Sequence, residues 1–411
     1  MEQNTRPHLI AVAVMPVAFG LGILLMSSTP IHEPMPYRPP YQPPPVAPVD
    51  PTPPPSYTFD DALASINEAE IKSNLYYLAS DELEGRMSGK KGNVTAADFI
   101  KKQFEEFGLE TEYQRFSIQR MNPGPHNETG DDFTQNIIAW LPGNDPSLKD
   151  EIVVVGAHMD HIGYGPRMSR ASNRREIPNG ADDNTSGTCG LMAIAKACAM
   201  LKGKNKRTIV FQAYSAEEMG LIGSRYYCNN PTFPRGNPDI RKHIFMLNMD
   251  MIGYLGRGVY FAGFYEGDSS IDIGRIIDEL NQKYSFAKRI TSRGSGGSDH
   301  ANFYNKKVPV AFLHTGGHPY YHTPDDTADR INYSGVEQVA KYGFELAWKV
   351  VQADSAPRFN HAGFKPMEVI HDHGHPGVKF YRHSYHEDEW EEHDRTHHHH
   401  HHHDHGDHDH D

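Results

Sequence analysis

The stretch Thr208–Gly220, TIVFQAYSAEEMG, sets an unbroken apolar run directly against two adjacent glutamates. Continuous apolar runs mark strands covered on both faces, whereas strands with one wet face alternate. Four more runs share the pattern: NIIAWLPG (Asn136–Gly143), EIVVVGAH (Glu151–His158), HIFMLNMD (His243–Asp250) and VPVAFLHTG (Val308–Gly316). Helical stripes accompany them. Thr95–Phe107 repeats apolar residues at helical spacing and stops at Gly108, Ser186–Leu201 is rich in small residues, and Ser334–Gln352 carries Val336, Val339, Ala340, Leu346 and Val350 on one face. Strands alternating with helices predict a doubly wound α/β layer structure with central parallel strands. Taken alone, Glu217 and Glu218 read as the acidic first turn of a helix, which the macrodipole favours.

Composition narrows the function. The 411 residues carry a formal net charge of −13 and no basic groove, which excludes nucleic acid as a partner. Cys189, Cys198 and Cys228 have neither a disulfide framework nor metal-type spacing. Leu9–Met26 is uncharged and almost wholly apolar behind Arg6, so residues 1–29 read as a signal peptide or membrane anchor. The expectation is an exported chain, periplasmic or otherwise extracytoplasmic, held at the membrane by residues 9–26 unless cleaved. Prolines recur through residues 30–56, a semi-rigid polyproline II linker. A folded domain is expected over 57–355. Residues 356–411 are rich in His and Asp, with seven consecutive histidines at His397–His403, and read as a disordered tail that binds metal ions weakly.

In open α/β sheets functional groups gather where strands end. Here the strand exits and two loops supply His158 and Asp160, the Glu217–Glu218 pair, Asp250, Asp182 and Asp183 in NGADDNTSG, and His322 in YYHTPDD. So many carboxylates on one rim would raise each other's pKa values unless divalent cations offset them. Imidazoles and carboxylates without thiolate suit zinc, and manganese or cobalt as well. The supply fits two ions sharing one carboxylate. One glutamate of the pair is then a ligand, and its neighbour is a general base toward water.

These residues, together with LASDELEGRMSG near the start and YYHTPDDTADRIN near the end, resemble the di-zinc exopeptidases that include bacterial leucyl aminopeptidases and glutamate carboxypeptidases. The resemblance covers about Asn74–Val351. It implies a three-layer αβα sandwich with a mostly parallel sheet, of the phosphorylase/hydrolase-like zinc-exopeptidase kind. It also implies two zinc ions per chain, one on His158 and Asp250, the other on Glu218 and His322, with Asp183 bridging. The bridging aspartate of that family stands four residues before the glycine that here is Gly187, which selects Asp183 and leaves Asp182 in the loop. A cis peptide at Asp183–Asn184 belongs to the same pattern. By the same likeness Asp160 orients His158, Glu217 is the general base, Tyr321 stabilises an oxyanion, and Asp299 and His300 shape a substrate pocket.

The activity so implied is that of an aminopeptidase acting on peptides. The nearest rivals are a single-zinc glutaminyl cyclase and a carboxypeptidase or dipeptidase. A surface metal-capture protein is the alternative that is not an enzyme. Leucyl aminopeptidases carry a disulfide near the matching SDH, where this chain has SRGSGGSDHANF instead. The glycines at Gly294–Gly297 lack the lysine and serine of a phosphate-binding loop.

Overall fold

The computed structural model describes residues 56–118, 133–165, 169–256, 269–286, 297–362, 364, 366 and 367. The expected signal or anchor, almost all of the proline-rich linker, the Gly294–Gly296 part of the glycine loop and most of the tail lie outside them. Among the described residues no helix is long and apolar enough to cross a membrane.

Six strands form one sheet: β1 (Glu110–Ser117), β2 (Phe133–Leu141), β3 (Ile152–His158), β4 (Thr208–Tyr214), β5 (His243–Met249) and β6 (Val310–Leu313), in the spatial order β1-β2-β4-β3-β5-β6. β3 runs parallel to β4 and β5, and β5 parallel to β6. β2 is antiparallel to both β1 and β4. The sheet is thus mixed, and the expectation that Asn136–Gly143 is a parallel central strand is corrected. An antiparallel strand buried on both faces has the same unbroken apolar signature.

Side chains alternate across the sheet, so each strand from β2 to β6 feeds two cores. Val153, Val155, Ile209, Phe211, Phe245 and Leu247 face one side. There they meet helices α1 (Phe59–Ser65), α2 (Glu68–Leu78), α3 (Lys91–Glu106), α4 (Gly187–Met200), α6 (Ile271–Lys283) and α8 (Tyr333–Gln352). Val154, Val210 and Met246 face the other side, against α5 (Ile222–Asn229) and α7 (His300–Asn305). The result is a three-layer αβα sandwich. α8 starts where the Asn332 side chain accepts from Gly335 N at 3.2 Å, and it buries Val336, Val339, Leu346 and Val350 as its stripe predicts. Each such side chain contributes about 2 kcal/mol on burial. Cys189 and Cys198 share α4, and all three cysteines are buried and free.

The boundary expected at residue 355 falls too early. Phe359, Phe364 and Met367 pack on the second core, and Met367 N donates to Asn305 Oδ1 at 2.7 Å.

Candidate metal centre

The SAEE stretch is a tight turn between β4 and α5, with Ala216 at φ 57° and Leu221 at φ 50°. It is not the first turn of a helix, and the macrodipole reading of the glutamates falls. Polar contacts hold the turn instead. The Ser215 hydroxyl lies 2.8 Å from the hydroxyls of both Ser88 and Thr134, and Ala216 N donates to Ser88 Oγ at 2.8 Å. Asn136 on β2 accepts from Ser215 N at 3.1 Å. Gly223 permits this close approach, because a Cβ there would stand 2.3 Å from Ser215 O. The turn thereby sends Glu217 and Glu218 in different directions, toward two groups of donors.

The first group is His158, Glu217 and Asp250; the second is His161, Asp183, Glu218 and His322, and within each group the donor atoms lie within 4.8 Å of one another. Asp183 connects the groups. Its Oδ1 is 3.4 Å from His158 Nε2 and its Oδ2 is 3.0 Å from His322 Nε2. His158 Nε2 is also 3.4 Å from Asp250 Oδ1, and His322 Nε2 is 3.3 Å from Glu218 Oε2. The structure therefore brings together all five residues expected as ligands, with Glu217 beside them.

Other expected residues lie nearby in different settings. Asp182 does not face the donors: its Oδ1 accepts from Gly253 N at 2.6 Å, and its Oδ2 lies 3.0 Å from His318 Nε2. The Asp183–Asn184 peptide is cis. Asp160 Oδ1 is 3.7 Å from His158 Nδ1, which sits nearer the Asp160 carbonyl at 3.2 Å. The same Oδ1 accepts from Glu217 N at 3.2 Å, so Asp160 ties the β3 exit to the glutamate turn. Tyr321 stacks on His322 with ring centroids 3.8 Å apart. Asp299 and His300 are fully buried at the start of α7, His300 stacked on Phe312 at 4.3 Å.

Three supports went unread in the sequence. His161 lies three residues past His158 in HMDH, and that repeat of histidine at a strand exit was the available signal. Arg86, in LEGRMSG, is fully buried and donates to four carbonyls: Leu78 and Asn179 at 2.6 Å, Met159 at 2.9 Å and Gly180 at 3.0 Å. It thus clamps the β3 exit to the loop that carries Asp183. Asp326 accepts from Asp182 N at 3.0 Å and Asp183 N at 3.1 Å, which holds that loop from the other side.

The electrostatics are those of carboxylates in excess. Burial lowers the His322 pKa, but Glu218 and Asp183 outweigh it and raise it to about 10. His158 is likewise held well above its ordinary value, because Glu217 and Asp250 overcome burial. Burial, with Glu218, Asp250 and Asp299 nearby, pushes the Glu217 carboxyl well up despite His158. Burial opposes ionisation of Asp183, yet His158, His322 and His161 hold it well below the usual carboxylate range.

The donors fit zinc. Tetrahedral ligands at zinc–nitrogen and zinc–oxygen bond lengths stand about 3.4 Å from one another. The separations of 3.0 to 3.4 Å around Asp183 match that edge. His158 Nε2, Asp250 Oδ1 and His322 Nε2 are buried without a hydrogen-bond partner, as befits atoms whose lone pairs are aimed at a cation.

Residues 136–347 match the model of peptidase family M28. Leupeptin-inactivating enzyme 1 of Streptomyces exfoliatus is 30% identical over 65% of this chain and 51% of its own length. A probable leucine aminopeptidase of Trichophyton verrucosum is 26% identical, over 68% of this chain and 72% of its own. This chain spans about half the length of most of the curated relatives it matches. Among solved structures, a zinc aminopeptidase from Bacillus subtilis superimposes with a TM-score of 0.57 at 16% identity, over 72% of this chain and 98% of that one, a likeness of fold.

Proposed function

The chain belongs to peptidase family M28, and we propose that it is an aminopeptidase that holds two zinc ions and removes N-terminal residues from peptides. The observation that carries this reading is the Asp183 carboxylate, whose two oxygens face different donor groups at 3.4 and 3.0 Å. His158 and Asp250 would hold one ion, Glu218 and His322 the other, and Asp183 would serve both. A single-zinc cyclase would use only one of the two groups.

When bound, zinc supplies Lewis acidity toward a peptide carbonyl and toward water. The chain's own residues do the rest. Glu217 lies beside the first group, where bound cations would offset the burial and the neighbouring carboxylates that raise its pKa and so leave it ionised. It takes the proton from the attacking water and delivers it to the departing amine. Tyr321, fixed by its stack on His322, donates to the oxygen that becomes negative as the carbonyl is attacked. Asp160 positions both His158 and the backbone of Glu217.

The test is hydrolysis of a panel of aminoacyl amides. Chelation should abolish activity, and zinc should restore it. Cyclised product without hydrolysis, from peptides that begin with glutamine, would replace this reading with the cyclase. For location, residues 9–26 serve as the export signal or membrane anchor. Deleting residues 1–29 should leave a soluble protein of unchanged activity; loss of activity would sink the anchor reading.

A further inference from the structure

We infer that His161 is a protein ligand of the second ion, so that the two metal positions are built unequal: one closed by four protein donors, the other left open beside Glu217. The inference rests on the two-ion reading above and adds to it a ligand that the expected five do not include.

The local fold fixes this side chain before any ion arrives. His161 follows β3 by three residues, bridges to Met87 in parallel, and donates its backbone N–H to Arg86 O at 3.3 Å. Its ring lies against Gly180, where a Cβ would stand 2.6 Å from two ring carbons. Gly180 also sits at φ 57°, so a side chain is excluded there on both counts. The ring is fully buried, and it meets the His322 ring edge-on with centroids 5.5 Å apart.

His161 Nδ1 is 2.9 Å from Glu218 Oε1 and 3.8 Å from Asp183 Oδ2. His322 Nε2 completes the circuit at 3.0 Å from Asp183 Oδ2 and 3.3 Å from Glu218 Oε2. A hydrogen bond from His161 to Glu218 requires only the first of these distances. The four distances, with Glu218 offering a different oxygen to each histidine, scatter around the tetrahedral edge of about 3.4 Å, and one donor atom from each of the four residues lies within 4.8 Å of the others, a spacing that suits a four-coordinate zinc site. Around the other ion the protein supplies His158, Asp183 and Asp250, with Glu217 adjacent. Structural zinc sites take four protein ligands, whereas catalytic ones keep a position for water or substrate. Substrate and water therefore belong to the position of His158 and Asp250, and the position closed by His161 anchors the pair.

The experiment compares the full chain with His161→Ala and His161→Asn, so that the histidine tail contributes equally to all three. Asparagine places an amide where Nδ1 stands; it can still donate to Glu218 but is a poor zinc ligand. Zinc affinity is read by competition with a chromophoric chelator, and the cobalt(II)-substituted forms are compared by their visible absorption. Loss of an outer hydrogen-bond partner costs roughly 10- to 100-fold in metal affinity. Both variants should weaken the tightest ion by about 100-fold or more and change the cobalt spectrum, while the second ion shifts by less than about tenfold. Wild-type affinity in both variants, or rescue by asparagine alone, would reduce His161 to a hydrogen-bond partner of Glu218 and overturn the proposal. Glu218→Ala serves as the control on the underlying reading: if it too binds zinc as the wild type does, the two-ion centre itself is wrong. Equal thermal midpoints of the metal-free proteins establish that each variant folds.

Discussion

The central strands carry buried charge at both ends, and the two ends handle it in opposite ways. Arg207, just before β4, is fully buried. It meets one carboxylate, Glu151 at 2.8 Å, and the carbonyls of Val350, Val351 and Ala353 from the end of α8. One cation there is balanced by one anion and by backbone dipoles. At the other end of the same strands Asp183, Asp250, Glu217 and Glu218 crowd against three histidines, and several of their donor atoms have no hydrogen-bond partner. The first arrangement balances its charge and joins a strand to a helix, although Arg207 Nη2 has no hydrogen-bond partner. Without metal, the nearby carboxylates favour protonated His158 and His322, and burial favours a protonated Glu217. Buried charge that is left unbalanced is what gives that end its chemistry.

The comparison breaks most severely at Glu217. Glu217→Gln should retain both ions and lose on the order of 10² to 10⁴ in turnover, the usual cost of removing one proton-transfer group. Turnover within a few-fold of wild type would show that the base is elsewhere. Glu218→Ala should instead lose one ion, and two full equivalents by metal analysis would mean that the two glutamates have exchanged roles.

The unbalanced end should also make the metal-free protein sensitive to pH. A histidine raised in the folded state from 6.5 to about 10 stabilises fully below pH 6.5, and its contribution disappears as pH rises through about 10. His158 and Glu217 are raised as well and act in the same direction. Stability of the metal-free form should fall across this window, by about 5 kcal/mol for a group shifted as far as His322. Zinc should flatten the dependence and should itself bind more tightly as pH rises, since it competes with protons. Thermal midpoints measured across pH with and without chelator decide the matter; parallel curves would refute it.

Arg207→Met tests the balanced end. It should cost about 3 kcal/mol, at the low end for breaking a buried pair because Glu151 keeps some exposure to water. Activity per folded molecule should be unchanged, and a lowered kcat would show that the two ends are coupled. The smallest effect concerns the segment after α8. Ending the chain at residue 355 should cost about 2 kcal/mol through lost burial of Phe359, Phe364 and Met367, whereas ending it at residue 370 should cost nothing measurable. Equal denaturation midpoints for the two shortened chains would mean that this packing contributes no stability.

What was legible in the sequence follows the same division. The parallel strands were readable because full burial writes an unbroken apolar run, and the exits of β3, β4 and β5 because a metal-competent residue follows each. The edge strand β1 was not, because Glu110, Thr111, Glu112 and Arg115 give it the composition of a surface loop. The direction of β2 was hidden, since burial on both faces looks alike in either orientation. His161 escaped because a histidine beside another at a strand exit takes its meaning from Glu218, far along the chain. Arg86 escaped for a related reason, as its partners are backbone carbonyls, which leave no mark on side-chain pattern.

The clamp made by Arg86 has a consequence in time. Its partners range from Leu78 to Gly180, the metal donors run from His158 to His322, and Asp326 closes the loop behind them. A growing polypeptide has supplied His158, Asp183, Glu217 and Asp250 by residue 250, but the second group is complete only at His322. A copy cut short before His322 therefore lacks one donor of the second group, however well its early helices form. Completion of the second donor group thus follows synthesis of nearly all of the folded residues.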